Sequence, residues 1–131
     1  MKKIYLALII ILVFIFIFII FRPKGEGLWI KDSRGVWVKQ GNPAETPDYV
    51  LEQQKIIDAA MSLYDERKLE GMQFESQCLG TLEEFGYVVD IVHVPRSEED
   101  NNPENQCEDY RQGRANHFIE LDKDGNIVRI I

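Results

Sequence analysis

Tyr87-Val88-Val89-Asp90-Ile91-Val92-His93-Val94 is the strongest strand signal in the chain, a run of β-formers that Pro95 closes. Side chains alternate along a strand, so Tyr87, Val89, Ile91 and His93 share one face, and Val88, Asp90, Val92 and Val94 share the other. A strand otherwise apolar on both faces therefore carries one carboxylate. If that face is buried, Asp90 needs a partner such as Arg129 or a backbone amide; if it is exposed, the valine side is an interaction surface. Structural pairing of Asp90 is expected.

Other strands extend the sheet on both sides of this run. Residues 74–82 form a weaker strand, and 115–121 with 127–131 form a hairpin across Asp122-Lys123-Asp124-Gly125-Asn126. The Asp-rich turn invites a calcium reading, yet it lacks the other loop ligands and the terminal Glu of an EF-hand, so an Asp-Gly hairpin turn is expected. Upstream, Leu28-Trp29-Ile30-Lys31 and Val36-Trp37-Val38-Lys39 flank Asp32-Ser33-Arg34-Gly35, which has the residues of a type I turn. Trp29 and Trp37 are expected to meet across this hairpin, packed together or offered as a partner-binding platform.

The clearest soluble helix opens at Thr46-Pro47 and stops before Gly71. Thr46 is the expected N-cap, and Asp48 complements the helix dipole. Val50, Ile56, Ile57, Ala60, Met61, Leu63 and Tyr64 make a wide apolar stripe that a sheet must cover. The fold class is therefore α+β: a hairpin, one long helix, then an antiparallel sheet with a helical insertion, carried on an N-terminal transmembrane helix. A helix followed by a β-meander resembles the cystatin and related helix-on-sheet folds in topology. That likeness implies a fold and transfers no activity.

Between Pro95 and Arg114 the chain holds Glu98, Glu99, Asp100, Glu104, Glu108 and Asp109. Asn102 and Pro103 begin an expected short helix that Gly113 closes, with Cys107 and Tyr110 on its inward side. The acidic residues are read as a solvated face and stand as a candidate surface for a cation or basic partner. Cys78 and Cys107 are a disulfide candidate, and the bond would close a loop of about 30 residues. Cys78, His93, Cys107 and His117 also have the ligand count of a zinc site, but their spacing matches no compact zinc module. No nucleophile motif supports a Cys-His pair, and no cofactor is expected.

Residues 1–21 set the cellular location. Lys2 and Lys3 precede an unbroken apolar run over residues 4–21, and 18 helical residues span about 27 Å, close to the thickness of a bilayer core. The run is longer than a signal-peptide core, and Arg22, Pro23 and Lys24 stand where a cleavage site would begin, so the segment reads as an uncleaved signal-anchor. Residues 22–27 are a short linker and 28–131 one soluble domain. Flanking charge favours a cytoplasmic N-terminus and an extracytoplasmic domain of a single-pass cell-membrane protein. Beyond residue 21 there are 13 basic and 22 acidic residues, a difference of −9, with no basic stripe; nucleic acid is not an expected partner. The expected role is a membrane-tethered interaction or accessory domain with a protein partner at the membrane surface. The alternative is an enzyme using the Cys and His residues.

Overall fold

The structure, a computed structural model, describes residues 2–20 and 25–131. Helix α1 spans Lys2–Ile20, and its described side chains, Tyr5 and residues 8–17, are exposed. Among the described residues no helix is long and apolar enough to cross a membrane. The transmembrane segment expected over residues 4–21 lies in part outside the described residues, as do residues 22–24 of the linker.

Helix α2 spans Asp48–Leu69, and it starts without the expected threonine cap. Pro47 itself occupies the N-cap, with no side-chain cap bond, so Thr46 lies one position too early to serve. The other end follows the sequence signals: Arg67 and Lys68 lie in the last turn, and Gly71 takes φ +81° beyond it. Val50, Ile56, Ala60 and Tyr64 are buried, with Ile57, Met61 and Leu63 half-buried at the edges of the stripe.

The stripe packs on a four-stranded sheet in the order β3 (Gln77–Leu82), β4 (Tyr87–Ile91), β5 (His117–Leu121) and β6 (Ile127–Ile130). Leu79, Val89, Ile91, Ile119, Leu121 and Ile130 meet α2 in one core. Gly80 sits at a bulge in β3, where a Cβ would come within 3.1 Å of Leu63. Tyr64 donates its hydroxyl to Lys123 O, tying α2 to the β5–β6 turn.

The sheet is not the antiparallel one expected. β3 with β4 and β5 with β6 are antiparallel, but β4 and β5 run parallel, so the meander order of a cystatin-like topology does not hold. The cause is the long connection after β4, because two parallel strands can be joined only by a crossover. That connection breaks into short pieces instead of one helix starting at Asn102: 3₁₀ turns at Glu99–Asn101 and Pro103–Asn105, then α3 at Glu108–Arg111. It lies on the sheet face that α2 leaves free, where Cys107 is packed with Val88 and Ala115.

β1 (Gly27–Lys31) and β2 (Trp37–Gly41) form the expected hairpin as a separate sheet. Its register sets Trp29 opposite Lys39 and Trp37 opposite Lys31, so the two indoles are not a facing pair. Trp29 gives its N–H to Glu45 O, and Trp37 packs on Tyr49 with ring centres 4.7 Å apart. Gln53 of α2 fastens the hairpin by accepting the Trp37 N–H at 2.8 Å and donating to Gly35 O at 2.9 Å. The Ile130 amide donates to Arg34 O and joins the hairpin tip to β6.

Candidate functional site

On the face away from α2, strand register lines up one residue from each strand: Cys78 opposite Asp90, Asp90 opposite Glu120, and Glu120 opposite Arg129. Asp90, Glu120 and Arg129 of this polar row floor a cleft of about 400 Å³, whose lining also includes Arg96, Asp100, Tyr110 and Phe118. Arg96 and Asp100 come from the connection after β4 and Tyr110 from α3. The crossover that makes β4 and β5 parallel also builds the wall of the cleft.

Cys78 and Cys107 are bonded, with Cα atoms 4.6 Å apart, and the bond pins the connection to β3. Beside it, Asp90 is 8% exposed and accepts the Cys107 amide N–H at 3.1 Å through Oδ1. The expected partner Arg129 is not on Asp90 but on Glu120. Burial pushes the Asp90 carboxyl up to about 6; the Glu120 charge acts in the same direction, while the Cys107 amide and Arg96 oppose it.

Glu120 is 5% exposed and receives both arginines of the cleft. Arg129 donates Nε to Oε2 at 3.1 Å and Nη2 to Oε1 at 3.0 Å, a two-point grip, and Arg96 donates Nη1 to Oε1 at 2.9 Å. Arg96 also reaches Asn101 Oδ1 and Asp100 O, while Arg129 lies 4.8 Å from the centre of the Phe118 ring. Asp100 is buried too, but its carboxyl shifts the other way. Burial alone would raise its carboxyl, but the amides of Ser97 and His93, with the His93 ring at 3.0 Å, hold it down at about 2.

The acidic connection therefore divides, and it is not the uniform solvated surface its composition suggests. Asp100 is a buried turn ligand, and Asp109 accepts the Thr81 hydroxyl at 2.5 Å and pairs with Arg114. The hydroxyl of Thr81, with Arg114 beside it, keeps the Asp109 carboxyl below the usual range. Glu98, Glu99, Glu104 and Glu108 are exposed.

The zinc set Cys78, His93, Cys107 and His117 is not assembled. Among the described residues the ligand atoms that gather within 4.8 Å are those of Cys78, Asp90 and Cys107, and both sulfurs are already used in their bond. His93 is held by Asp100 and Ser97, and His117 stacks on Tyr87 with ring centres 4.8 Å apart, so neither stands ready to activate a thiol. The Asp122 turn likewise consumes its own carboxylate, which accepts the amide N–H groups of Asp124 and Asn126.

Glu120, Arg96 and Phe118 are among the cleft residues that sequence reasoning missed. A signal for Glu120 was present: in Phe118-Ile119-Glu120-Leu121 it interrupts an apolar strand as Asp90 does in β4. Two interior carboxylates on facing strands point to a shared polar face. Burial leaves the Asp90 carboxyl poised to exchange a proton near pH 6, whereas Asp100 on the same cleft is held low. No family model matches the chain, and no curated protein and no solved structure matches it, so these side chains are the ground for any functional reading.

Proposed function

We propose that this chain is a membrane-tethered accessory or interaction domain that works outside the cytoplasm, with residues 4–21 in the bilayer and residues 28–131 held close to its surface. The observation that carries the reading is the Cys78–Cys107 bond in a domain that follows an 18-residue apolar run, because such bonds persist in oxidising compartments. The flanking charges favour the same orientation. Within the domain, the cysteines are joined to each other and both histidines are engaged locally, which supports binding over Cys-His or zinc chemistry. The polar cleft is the natural place for that binding.

The test uses the full chain in intact cells. Protease added outside should remove residues 28–131, and Cys78 and Cys107 should take a membrane-impermeant maleimide only after reduction. A domain protected until the membrane is broken, or thiols that label without reduction, would overturn the assignment.

A further inference from the structure

The cleft behind the sheet has an imbalance that its own residues do not resolve. Asp90 is more than nine-tenths buried, yet only Oδ1 receives a protein hydrogen bond, from Cys107. No described side-chain oxygen is both fully buried and unpaired, so Oδ2 opens on the cleft that Asp90 lines. The cations nearby are committed elsewhere: Arg129 grips Glu120 through two donors, and Arg96 is spread over Glu120, Asn101 and Asp100. Asn105, on the cleft wall, gives its amide N–H to Glu99 O and keeps its carbonyl oxygen free. Acceptors are left over in the cleft, and Asp90 is a buried anion that no cation contacts directly.

We propose that this cleft binds a small organic ammonium ion, with Asp90 Oδ2 as its counter-ion and the Tyr110–Phe118 pair covering its apolar body. An ammonium group brings donors and a positive charge, which are what the free Asp90 and Asn105 oxygens lack. The two rings meet edge to face at 5.2 Å and line the same space, so a ligand with a short aromatic or aliphatic tail finds an apolar contact beside the charge. The volume of about 400 Å³ suits a small molecule. A bare divalent cation fits less well, because the guanidinium groups of Arg96 and Arg129 stand in the same cleft. The inference rests on the soluble domain alone and does not depend on the side of the membrane it occupies.

The charged groups facing Asp90 are Glu120 from β5, Arg129 from β6, and Arg96 and Asp100 from the connection. Asp90 changes charge near pH 6, so binding should strengthen as its proton leaves. The probe is phenethylammonium chloride, with 2-phenylethanol as the neutral control, titrated by calorimetry against the full chain in detergent. Saturable binding is expected at pH 7.5, falling about tenfold at pH 5, where a carboxyl with a pKa near 6 is about one-tenth ionised. Asp90→Asn should abolish it, and Tyr110→Ala should weaken it severalfold. Circular dichroism establishes that each variant is folded, and the pH series on the unaltered chain stands even if a variant is not. Equal binding of 2-phenylethanol, pH-independent binding, or no binding at millimolar probe would overturn the proposal.

Discussion

The two faces of the four-stranded sheet are stabilised by different physics. Toward α2 the contact is apolar throughout: Val89, Ile91, Ile119 and Leu121 are each no more than 1% exposed and meet Ile56, Ala60 and Tyr64. On the opposite face the same strands carry Cys78, Asp90, Glu120 and Arg129 in a row, and what covers them is a connection of short turns held by a covalent bond and directional hydrogen bonds. The apolar face specifies the fold by area removed from water, which is non-directional and tolerant. The polar face specifies one geometry, and each unmatched group on it carries a cost. A protein built this way takes its apolar burial from one side of the sheet and its chemical individuality from the other.

The sharpest way to break that contrast is to place a charge on the apolar side. Ile56 is 6% exposed in the core cluster, so Ile56→Asp buries an unpaired carboxylate and removes a core side chain at once. The expected loss exceeds about 4 kcal/mol, enough to unfold a domain of this size. Thermal melting by circular dichroism measures it. A melting point within a few degrees of the unaltered chain would mean that α2 is not the main cover of the sheet.

Next in size is the bond that fastens the polar face. Replacing both Cys78 and Cys107 by Ala releases a 29-residue separation in the unfolded chain, worth roughly 3.5 kcal/mol in the loop-entropy account. If the two faces are distinct, the loss should fall unevenly. Amides of the connection, such as those of Ser97 and Cys107, should exchange with solvent much faster, while those of β4 and β5 keep their order of protection. Uniform acceleration across the sheet would show that the faces melt as one.

The apolar face was legible in the sequence because its signal is periodic. The α2 stripe and the alternation in 87–91 follow from spacing alone, and both appear in the structure with small shifts of boundary. The disulfide was legible from the count of cysteines, and Asp90 from its intrusion into an apolar strand. The parallel pairing of β4 and β5 was not legible, because local pattern reports which residues form strands but not which way a long connection carries the chain back. The polar row depends on that direction. Glu120 reaches Asp90 only once β5 is set parallel to β4, and Arg96 reaches Glu120 only from a connection folded over them. The indoles of Trp29 and Trp37 were misjudged for a related reason: hairpin register, fixed by how the turn closes, decides which residues oppose each other.

The smallest expected effect is also the most specific, because two buried aspartates lining the same cleft should respond to pH with opposite signs. Asp90 has its carboxyl raised to about 6, so between its unfolded value near 4 and 6 the folded chain holds the extra proton. Its contribution to stability is therefore full below about pH 4 and declines as pH rises to 6. Asp100 is held at about 2, so its contribution is full above pH 4 and is lost as pH falls toward 2. Asp90→Asn keeps an oxygen for the Cys107 amide and removes a poorly solvated charge; it should stabilise the domain by about 2 kcal/mol at pH 7 and by little at pH 4. Asp100→Asn removes the anion that the His93 and Ser97 amides address, and should destabilise by about 2 kcal/mol at pH 7, with the difference shrinking below pH 3. Urea unfolding of each variant at three pH values reads both signs. Two variants that shift stability in the same direction would show that the cleft holds its carboxylates by a common field. Opposite shifts would set Asp90 apart as a buried cleft carboxylate whose charge is not met by an ion pair.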